Sequence, residues 1–293
     1  MDMVGKILAL ACAVVWATAV ILFKRAGDSI RPLALNFYKT AVSALVMLPL
    51  LLFYGLAGVS RQDLGAVLLS GILGIALSDT FFFIALDRLG AAKTAIVDCL
   101  YAPFVMLASW LWLGQRPRLA QVGGAVLVAA AMVVVAREGE SPSSSQRPER
   151  LWSGWLAGIG AMALMAVAIV LMQPVLGRAP LLLVTELRIL AALAVLAPLT
   201  LLHRDRRSLL GSLVGRGAWR HALPGALLGN VVSMIFWVAA FKFTAVNSAA
   251  ILNQTNTVIV VLLASVWLKE PFTRRRLAGT ALAFGGAVLV LTG

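Results

Sequence analysis

Ionisable side chains lie inside several long apolar stretches of this sequence, where a charge is costly. They are Lys39, Asp79, Asp98, Glu186 and Arg188. If these stretches cross a membrane, each charge near the centre costs about 2.5–3.5 kcal/mol, and five unpaired charges facing lipid approach ~15 kcal/mol. That sum exceeds the whole stability of many folded domains. We therefore expect these side chains to face the protein interior, to pair with one another or to contact water.

Two pairs of polar residues repeat the same spacing. Asp98 and Tyr101 are three residues apart, and so are Asn253 and Asn256. Residues at this spacing share one face of a helix. The same polar stripe therefore occurs twice in the chain, as a cavity between two similar halves requires.

The charges have two interpretations. One is a cavity with the cations Lys39 and Arg188 on one pair of helices and acceptors on another pair. The other is an ion-pair network that only holds helices together, for instance Lys39 with Asp79 or Asp98. Trp16 lies deep in the first apolar stretch, where it either flanks a substrate or packs as a core aromatic.

No pattern of catalytic residues is present in the sequence. It lacks G-x-S-x-G, H-E-x-x-H and the phosphate-binding loop G-x-x-x-x-G-K-[ST]. Cys12 and Cys99 lie in apolar stretches without metal-ligand spacing. We therefore expect no enzyme activity, no cofactor and no metal. The sequence also shows no ATP site, and Asp79 and Asp98 are candidates to carry a proton.

The elements that position these residues are apolar stretches of membrane-spanning length. Of 293 residues, 61% are hydrophobic and 13% are charged, whereas a soluble domain has about 25% charged residues. The mean hydropathy is +0.95. Windows of about 19 residues predict an all-α integral membrane protein with ten transmembrane helices. The predicted spans are residues 5–23, 33–54, 66–86, 92–113, 119–136, 152–172, 182–202, 221–241, 246–268 and 277–292.

The formal net charge of +13 is concentrated in short segments between the apolar stretches. At those positions Lys and Arg meet lipid headgroups, so lipid is an expected partner. No aromatic and basic surface of the kind that binds single-stranded nucleic acid accompanies them, which argues against nucleic-acid binding. More of these cations fall on the side opposite the termini, so the positive-inside rule favours termini outside.

The two halves of the sequence are similar. Lys39 falls on Arg188 at a shift of 149 residues (188 − 39), and this shift holds through the second span. Beyond it the shift is 155 residues, at which Ser78 meets Ser233 (233 − 78). A constant offset of this kind indicates an internal duplication rather than chance similarity between apolar segments.

A polar segment rich in Ser and Pro, residues 139–151, separates the halves. The predicted domains are therefore residues 1–138 and 152–293, with five spans each. Because five is odd, the copies cross the membrane in opposite directions. Such an inverted-topology repeat is typical of secondary transporters and leaves a midplane site that opens to either side.

The segments Phe81–Val128 and Ala240–Val290 contain the most specific motifs. A short loop ahead of the glycine-containing last helix reads Lys269-Glu270-Pro271, in which Glu270 matches the Glu of a Gly-Glu motif. The corresponding loop of the first half, Gly114-Gln115-Arg116, has Gln in place of this Glu. With the ten spans and the inverted repeat, these segments resemble the EamA type of the drug/metabolite transporter superfamily. The resemblance covers nearly the whole chain.

The resemblance implies a metabolite exporter or exchanger. It implies that helices 1–4 and 6–9 surround a central cavity and that helices 5 and 10 lie outside it. The cavity positions implied are Trp16, Lys39, Asp98, Tyr101, Glu186, Arg188, Asn253 and Asn256.

We expect a secondary transporter that moves a small polar metabolite by alternating access, with H+ as a candidate coupling ion. An amino acid or similar zwitterion is the expected substrate because the predicted cavity holds both signs of charge and amide groups. The alternatives are a flippase for a lipid or glycolipid precursor, a multidrug or organic-cation exporter, and a structural subunit without transport. The expected location is the cytoplasmic (inner) membrane of a bacterium, with several membrane passes.

Overall fold

The computed structural model describes residues 2–54, 59–114, 116–137, 148–176, 178–243 and 252–292. The regular elements in these ranges are helices. They are α1 (Asp2–Gly27), α2 (Pro32–Tyr54), α3 (Arg61–Gly71), α4 (Ser78–Leu89), α5 (Ala91–Asp98), α6 (Tyr101–Leu113), α7 (Leu119–Ala136), α8 (Pro148–Leu176), α9 (Leu181–Leu201), α10 (Arg206–Val214), α11 (Arg216–Ala226), α12 (Ser233–Phe243), α13 (Thr255–Trp267) and α14 (Arg274–Thr292).

Seven helical stretches among the described residues are long and apolar enough to cross a membrane. They are Met3–Gly27, Arg61–Leu89, Ala91–Trp112, Leu119–Ala136, Glu149–Met172, Leu182–Leu201 and Arg274–Thr292, and α13 is a shorter apolar helix. Helix α2 and the stretch from α11 to α12 occupy the second and eighth predicted spans. The predicted all-α, multi-pass membrane fold is confirmed.

Most of the predicted linker, residues 139–151, lies outside the described residues. Its last residues, 148–151, are helical, because α8 begins at Pro148 rather than at residue 152. Proline is favoured in the first turn of a helix, where its missing N–H has no intrahelical partner to lose. The start of the predicted ninth span, at residue 246, also lies outside the described residues.

The third and eighth spans each contain a six-residue π-helical segment, Ile72–Leu77 and Leu227–Val232. These segments are 155 residues apart (227 − 72), which is the offset of the sequence repeat. Asn36 of α2 donates to the carbonyls of Ile75 (2.8 Å) and Ala76 (3.1 Å) in the first segment. Such segments are frequent at functional sites. The same irregularity therefore occurs at the same place in both halves.

The fourth predicted span consists of two helices, α5 and α6, joined at Cys99 and Leu100. The amides of these two residues bond carbonyls three positions back, at 3.3 and 2.9 Å, which makes a tighter turn than an α-helix. Asp98 therefore ends α5, and Tyr101 begins α6. The structure thus places them at a helix junction, whereas the spacing predicted one continuous helix.

Helices α7 and α14 form a close pair through glycine. A Cβ atom at Gly124 would lie 2.6 Å from the carbonyl oxygen of Gly286, and one at Gly286 would lie 2.7 Å from that of Gly124. Small residues allow this approach of two helix backbones. A separate core cluster joins residues of α1, α2, α4, α5, α8 and α13. The pairing agrees with a position for the fifth and tenth spans beside the central helices.

Candidate functional site

Lys39 and Asp79 form a buried ion pair between α2 and α4. Asp79 lies in the first turn of α4, directly after the π-helical segment, and Lys39 is 1% exposed. The Lys39 Nζ contacts Oδ2 of Asp79 and also lies 5.5 Å from the centroid of the Phe83 ring. Such a cation above an aromatic face is attracted to it. Of the partners that the sequence left open for Lys39, the structure selects Asp79.

Asp98 lies at the α5–α6 junction and contacts the second half of the chain. Its carboxylate hydrogen-bonds the side-chain amide of Asn256 on α13. The Oδ1 of Asn256 accepts from the Thr257 hydroxyl at 3.1 Å, so the amide nitrogen is the donor to Asp98. No cation pairs with Asp98 in the part of the chain that the structure describes. Its charge therefore has an amide partner and no counter-ion.

Arg188 projects from α9 toward the first half of the chain. It is 5% exposed and interacts electrostatically with Asp79 and Tyr101. Its Nε has no hydrogen-bond partner among the described residues. The guanidinium fits beside the first π-helical segment because Gly74 has no side chain: a Cβ atom there would lie 2.9 Å from the Arg188 Nη2. Arg188 thus retains donor capacity for a further acceptor.

A small cavity lies beside Asp98. It is lined by Trp16, Val20, Phe82, Ala95, Asp98, Asn256 and Val260, and has a volume of about 10 Å³. This is room for about one water molecule. Tyr101 interacts electrostatically with both Asp98 and Arg188, so both charges are within electrostatic reach of it. In this conformation the central site is closed to any larger solute.

Trp16 packs against Phe82 at the wall of this cavity, with ring centroids 6.3 Å apart and planes 39° apart. The aromatic pair provides the apolar surface of the cavity, and Asp98 and Asn256 provide the polar surface. Asn253 is placed elsewhere. With its amide oriented to satisfy both groups, it donates to the carbonyl of Ala9 (3.1 Å) and accepts from the indole N–H of Trp237 (3.2 Å). It therefore joins α1 to α12 in this conformation.

Glu186 does not join the charged cluster in this conformation. It is two residues from Arg188, which places the two side chains about 200° apart around α9. Glu186 is 0% exposed, and neither carboxylate oxygen has a hydrogen-bond partner among the described residues. Leu182, Ile189 and Leu190, at helix spacing from Glu186, pack into an apolar cluster with α2. Its assignment to the substrate cavity stays a prediction.

Sequence reasoning missed three contributors to the site. Gly74 makes space for Arg188, Phe82 completes the cavity wall, and Asn36 satisfies the carbonyls of the π-helical segment. Gly74 had a signal, since it matches Gly229 in the repeat. Asn36 had one too, as a polar residue inside an apolar stretch. Phe82 had none, because the phenylalanines beside it in the sequence are equally apolar.

Comparison with known proteins places the chain in a family. The model of the EamA-like transporter family matches residues 3–137 and 152–292. The chain belongs to the EamA-like transporter family. This family is part of the drug/metabolite transporter superfamily, so the predicted resemblance is confirmed. A membrane transporter is the function that this membership supports.

Two relatives of this EamA-like chain cover almost all of it. An uncharacterized transporter from Archaeoglobus fulgidus is 22% identical over 291 residues, which are 99% of this chain and 98% of that protein. A protein with a crystal structure is 19% identical and covers 99% of this chain and 96% of its own, with a TM-score of 0.64. The second likeness supports the fold.

The glutamate of the EamA-type loop, Glu270, joins the two halves of the chain. Its carboxylate oxygens accept from the backbone N–H groups of Ala91 (2.7 Å) and Ala92 (3.2 Å), at the start of α5. Arg276 pairs with the same carboxylate at 3.1 Å. An acidic group at a helix N-terminus satisfies free N–H groups and complements the helix dipole. Its first-half counterpart, Gln115, lies outside the described residues.

Proposed function

We propose that this EamA-like protein is a secondary transporter for a small zwitterion, with amino acids as the substrate class. It works by alternating access in the cytoplasmic membrane of a bacterium, by export or exchange. The observation that carries the proposal is the pair Arg188 and Asp98. Both of these opposite charges interact electrostatically with Tyr101, and neither has its charge neutralised by a direct ion pair among the described residues.

The chemistry of the two groups fits the two ends of an amino acid. A guanidinium binds a carboxylate through paired N–H donors. A carboxylate binds an ammonium group, and Asp98 lies at the C-terminal end of α5, where backbone carbonyls add negative potential. Broken helices of this kind form the substrate sites of many transporters. Trp16 and Phe82 supply an apolar surface for the substrate side chain.

The Lys39–Asp79 pair has a different role in this proposal. Because each charge already has a partner, the pair does not need a ligand. It fixes α2 against α4 and keeps negative charge near Arg188. The closed cavity of about 10 Å³ corresponds to a conformation between the two open ones, and the halves separate to admit the solute.

An organic-cation exporter is the second candidate. The acid Asp98 next to the aromatic pair Trp16 and Phe82 is the observation that favours it, because aromatic faces and a carboxylate suit a hydrophobic cation. Arg188 separates the two candidates. A zwitterion needs this guanidinium, whereas a cation is repelled by it.

A thermal-shift screen of the detergent-purified protein tests the proposal. The ligands are amino acids, organic cations, sugar phosphates, nucleotide sugars and lipid precursors, against wild type, Asp98→Asn and Arg188→Gln. A ligand at 100 times its Kd stabilises the folded state by about 2.7 kcal/mol. We expect amino acids to raise the melting temperature of wild type and of neither variant.

Stabilisation by cations that survives in Arg188→Gln would favour the exporter instead. Stabilisation by amino acids that persists in both variants would refute the site. As a control, Glu149→Gln changes an exposed carboxylate at the start of α8 and should respond like wild type.

A further inference from the structure

Glu186 is a buried acidic residue on an apolar face of α9, without a hydrogen-bond donor or cation beside it among the described residues. It is 0% exposed, and both oxygens lack a hydrogen-bond partner among the described residues. The same helix face packs Leu182, Ile189 and Leu190 into the apolar cluster that includes Ala44 and Met47. An ionised carboxylate without partners is very costly to bury, so a buried acid in such a place is held in its neutral form.

The charged groups around α9 do not provide a counter-ion. Helix α9 packs against α2, α3, the first π-helical segment, α8 and α10. Among the described residues, none of the charges on these elements forms a hydrogen bond or ion pair with Glu186. The described titratable groups are Tyr38 and Lys39 on α2, Arg61 and Asp63 on α3, Glu149 and Arg150 on α8, Arg188 on α9 itself, and Arg206 and Arg207 on α10.

The charged members of that set are occupied or exposed. Lys39 pairs with Asp79, and Asp63 pairs with Arg178 at 2.8 Å. The remaining cations on α3, α8 and α10 are exposed to solvent or headgroups. Arg188 points to the other side of its helix. The hydroxyl of Tyr38 is a neutral group and has no hydrogen-bond partner of its own among the described residues.

We propose that Glu186 is a proton-carrying site of this transporter, loaded in the closed conformation and discharged when α9 moves. Opening brings water to the carboxyl group, the O–H bond breaks, and the proton passes to water while the carboxylate stays hydrated. Reclosing without solute requires a proton to be taken up first, because the apolar surroundings of Glu186 in this closed conformation do not accept the charge. The solute-loaded protein recloses with the Glu186 carboxylate ionised and hydrated, so the proton crosses only on the solute-free step and one proton moves in exchange for one solute.

This assignment rests on the proposed function for its driving role, since a proton site matters to transport only in a transporter. It also differs from the sequence-based expectation, which gave proton coupling to Asp79 and Asp98. In the structure Asp79 has a cation and Asp98 has an amide donor. Glu186 has neither.

Two measurements on the full chain test the site. The first is infrared spectroscopy of wild type, Glu186→Gln and the control Glu149→Gln in an ester-free maltoside detergent at pH 7. Exposed carboxyl groups are ionised at this pH, so a neutral-acid C=O band comes from a buried group. We expect the band in wild type and Glu149→Gln, and its loss from the spectrum of Glu186→Gln. A band that is absent from wild type, or unchanged in Glu186→Gln, overturns the proposal.

The second measurement is uptake of a mixture of radiolabelled protein amino acids into proteoliposomes with the membrane potential clamped at zero. With one proton per solute, a pH difference of about one unit supports up to about tenfold accumulation. We expect this gradient effect in wild type and a ratio near one in Glu186→Gln, which still equilibrates the solute. Gradient-driven accumulation that persists in Glu186→Gln overturns the coupling role. If wild type takes up no amino acid, the proposed function fails, and the infrared result still decides whether Glu186 holds the proton.

Discussion

The buried pair Lys39–Asp79 offers the sharpest test of the site's energetics, because its two members have unequal surroundings. Lys39 is 1% exposed, and beyond Asp79 its described neighbours include the Phe83 ring at 5.5 Å. Asp79 has a side chain that is 15% exposed and a second cation, Arg188, in electrostatic reach. Removing either partner leaves a charge behind, but only one of those charges has a substitute.

The magnitudes follow from this asymmetry. Removing one partner of a buried ion pair costs about 3–5 kcal/mol, mostly because the other charge is left uncompensated. We expect Asp79→Asn to fall in this range, since Lys39 then has no counter-ion. We expect Lys39→Met to cost less than Asp79→Asn, because Arg188 still compensates Asp79. The double variant should cost less than the sum of the two, since neither charge remains.

The assay is unfolding of the detergent-solubilised protein by increasing denaturant, followed by helical circular dichroism. The four proteins are wild type, the two single variants and the double variant. Equal destabilisation by the two single variants would show that Arg188 does not compensate Asp79. Strict additivity in the double variant would refute the pair itself as an energetic unit.

Two further variants test the geometry of the site. Gly74→Ala places a Cβ atom 2.9 Å from both the Arg188 Nη2 and the Ala168 Cβ on α8, so we expect it to displace the guanidinium and shift α8, and to abolish the thermal shift by amino acids. Gly65→Ala is the matched control, because nothing lies within 4 Å of its Cβ position. An unchanged thermal shift in Gly74→Ala would contradict the reasoning. Glu270→Ala removes the carboxylate that accepts hydrogen bonds from the N–H groups at the start of α5. Because a hydrogen bond to a charged group is worth about 1.5–3 kcal/mol, we expect the free energy of unfolding to fall by at least that amount. The control Glu149→Ala, at an exposed position, should leave the free energy of unfolding almost unchanged. Equal losses in Glu149→Ala and Glu270→Ala would refute the role of Glu270 between the halves.

Much of the fold could be predicted from the sequence because its determinants are local. A stretch of about 20 apolar residues specifies a membrane-spanning helix whatever its neighbours are. The duplication was visible in the sequence as constant offsets. The π-helical segments at Ile72–Leu77 and Leu227–Val232 show the same duplication in the structure. The cost of charge in lipid also indicated, before any contact was known, that Lys39, Asp79, Asp98, Glu186 and Arg188 have to face the interior, pair with one another or contact water.

The partner of each of these residues was decided by tertiary structure, because it depends on how the helices are rotated and where they break. Spacing allowed Lys39 to pair with Asp79 or Asp98, and packing of α2 on α4 selects Asp79. Glu186 and Arg188 are near neighbours in sequence, yet the rotation of α9 sends one into an apolar cluster and the other to the central charges. The break that places Asp98 at the end of α5 depends on two backbone amides, those of Cys99 and Leu100, that bond carbonyls three residues back. No residue type in that stretch requires this pattern. Composition fixes how many charges a membrane protein must hide, but only the arrangement of its helices determines which of them pair with one another and which do not.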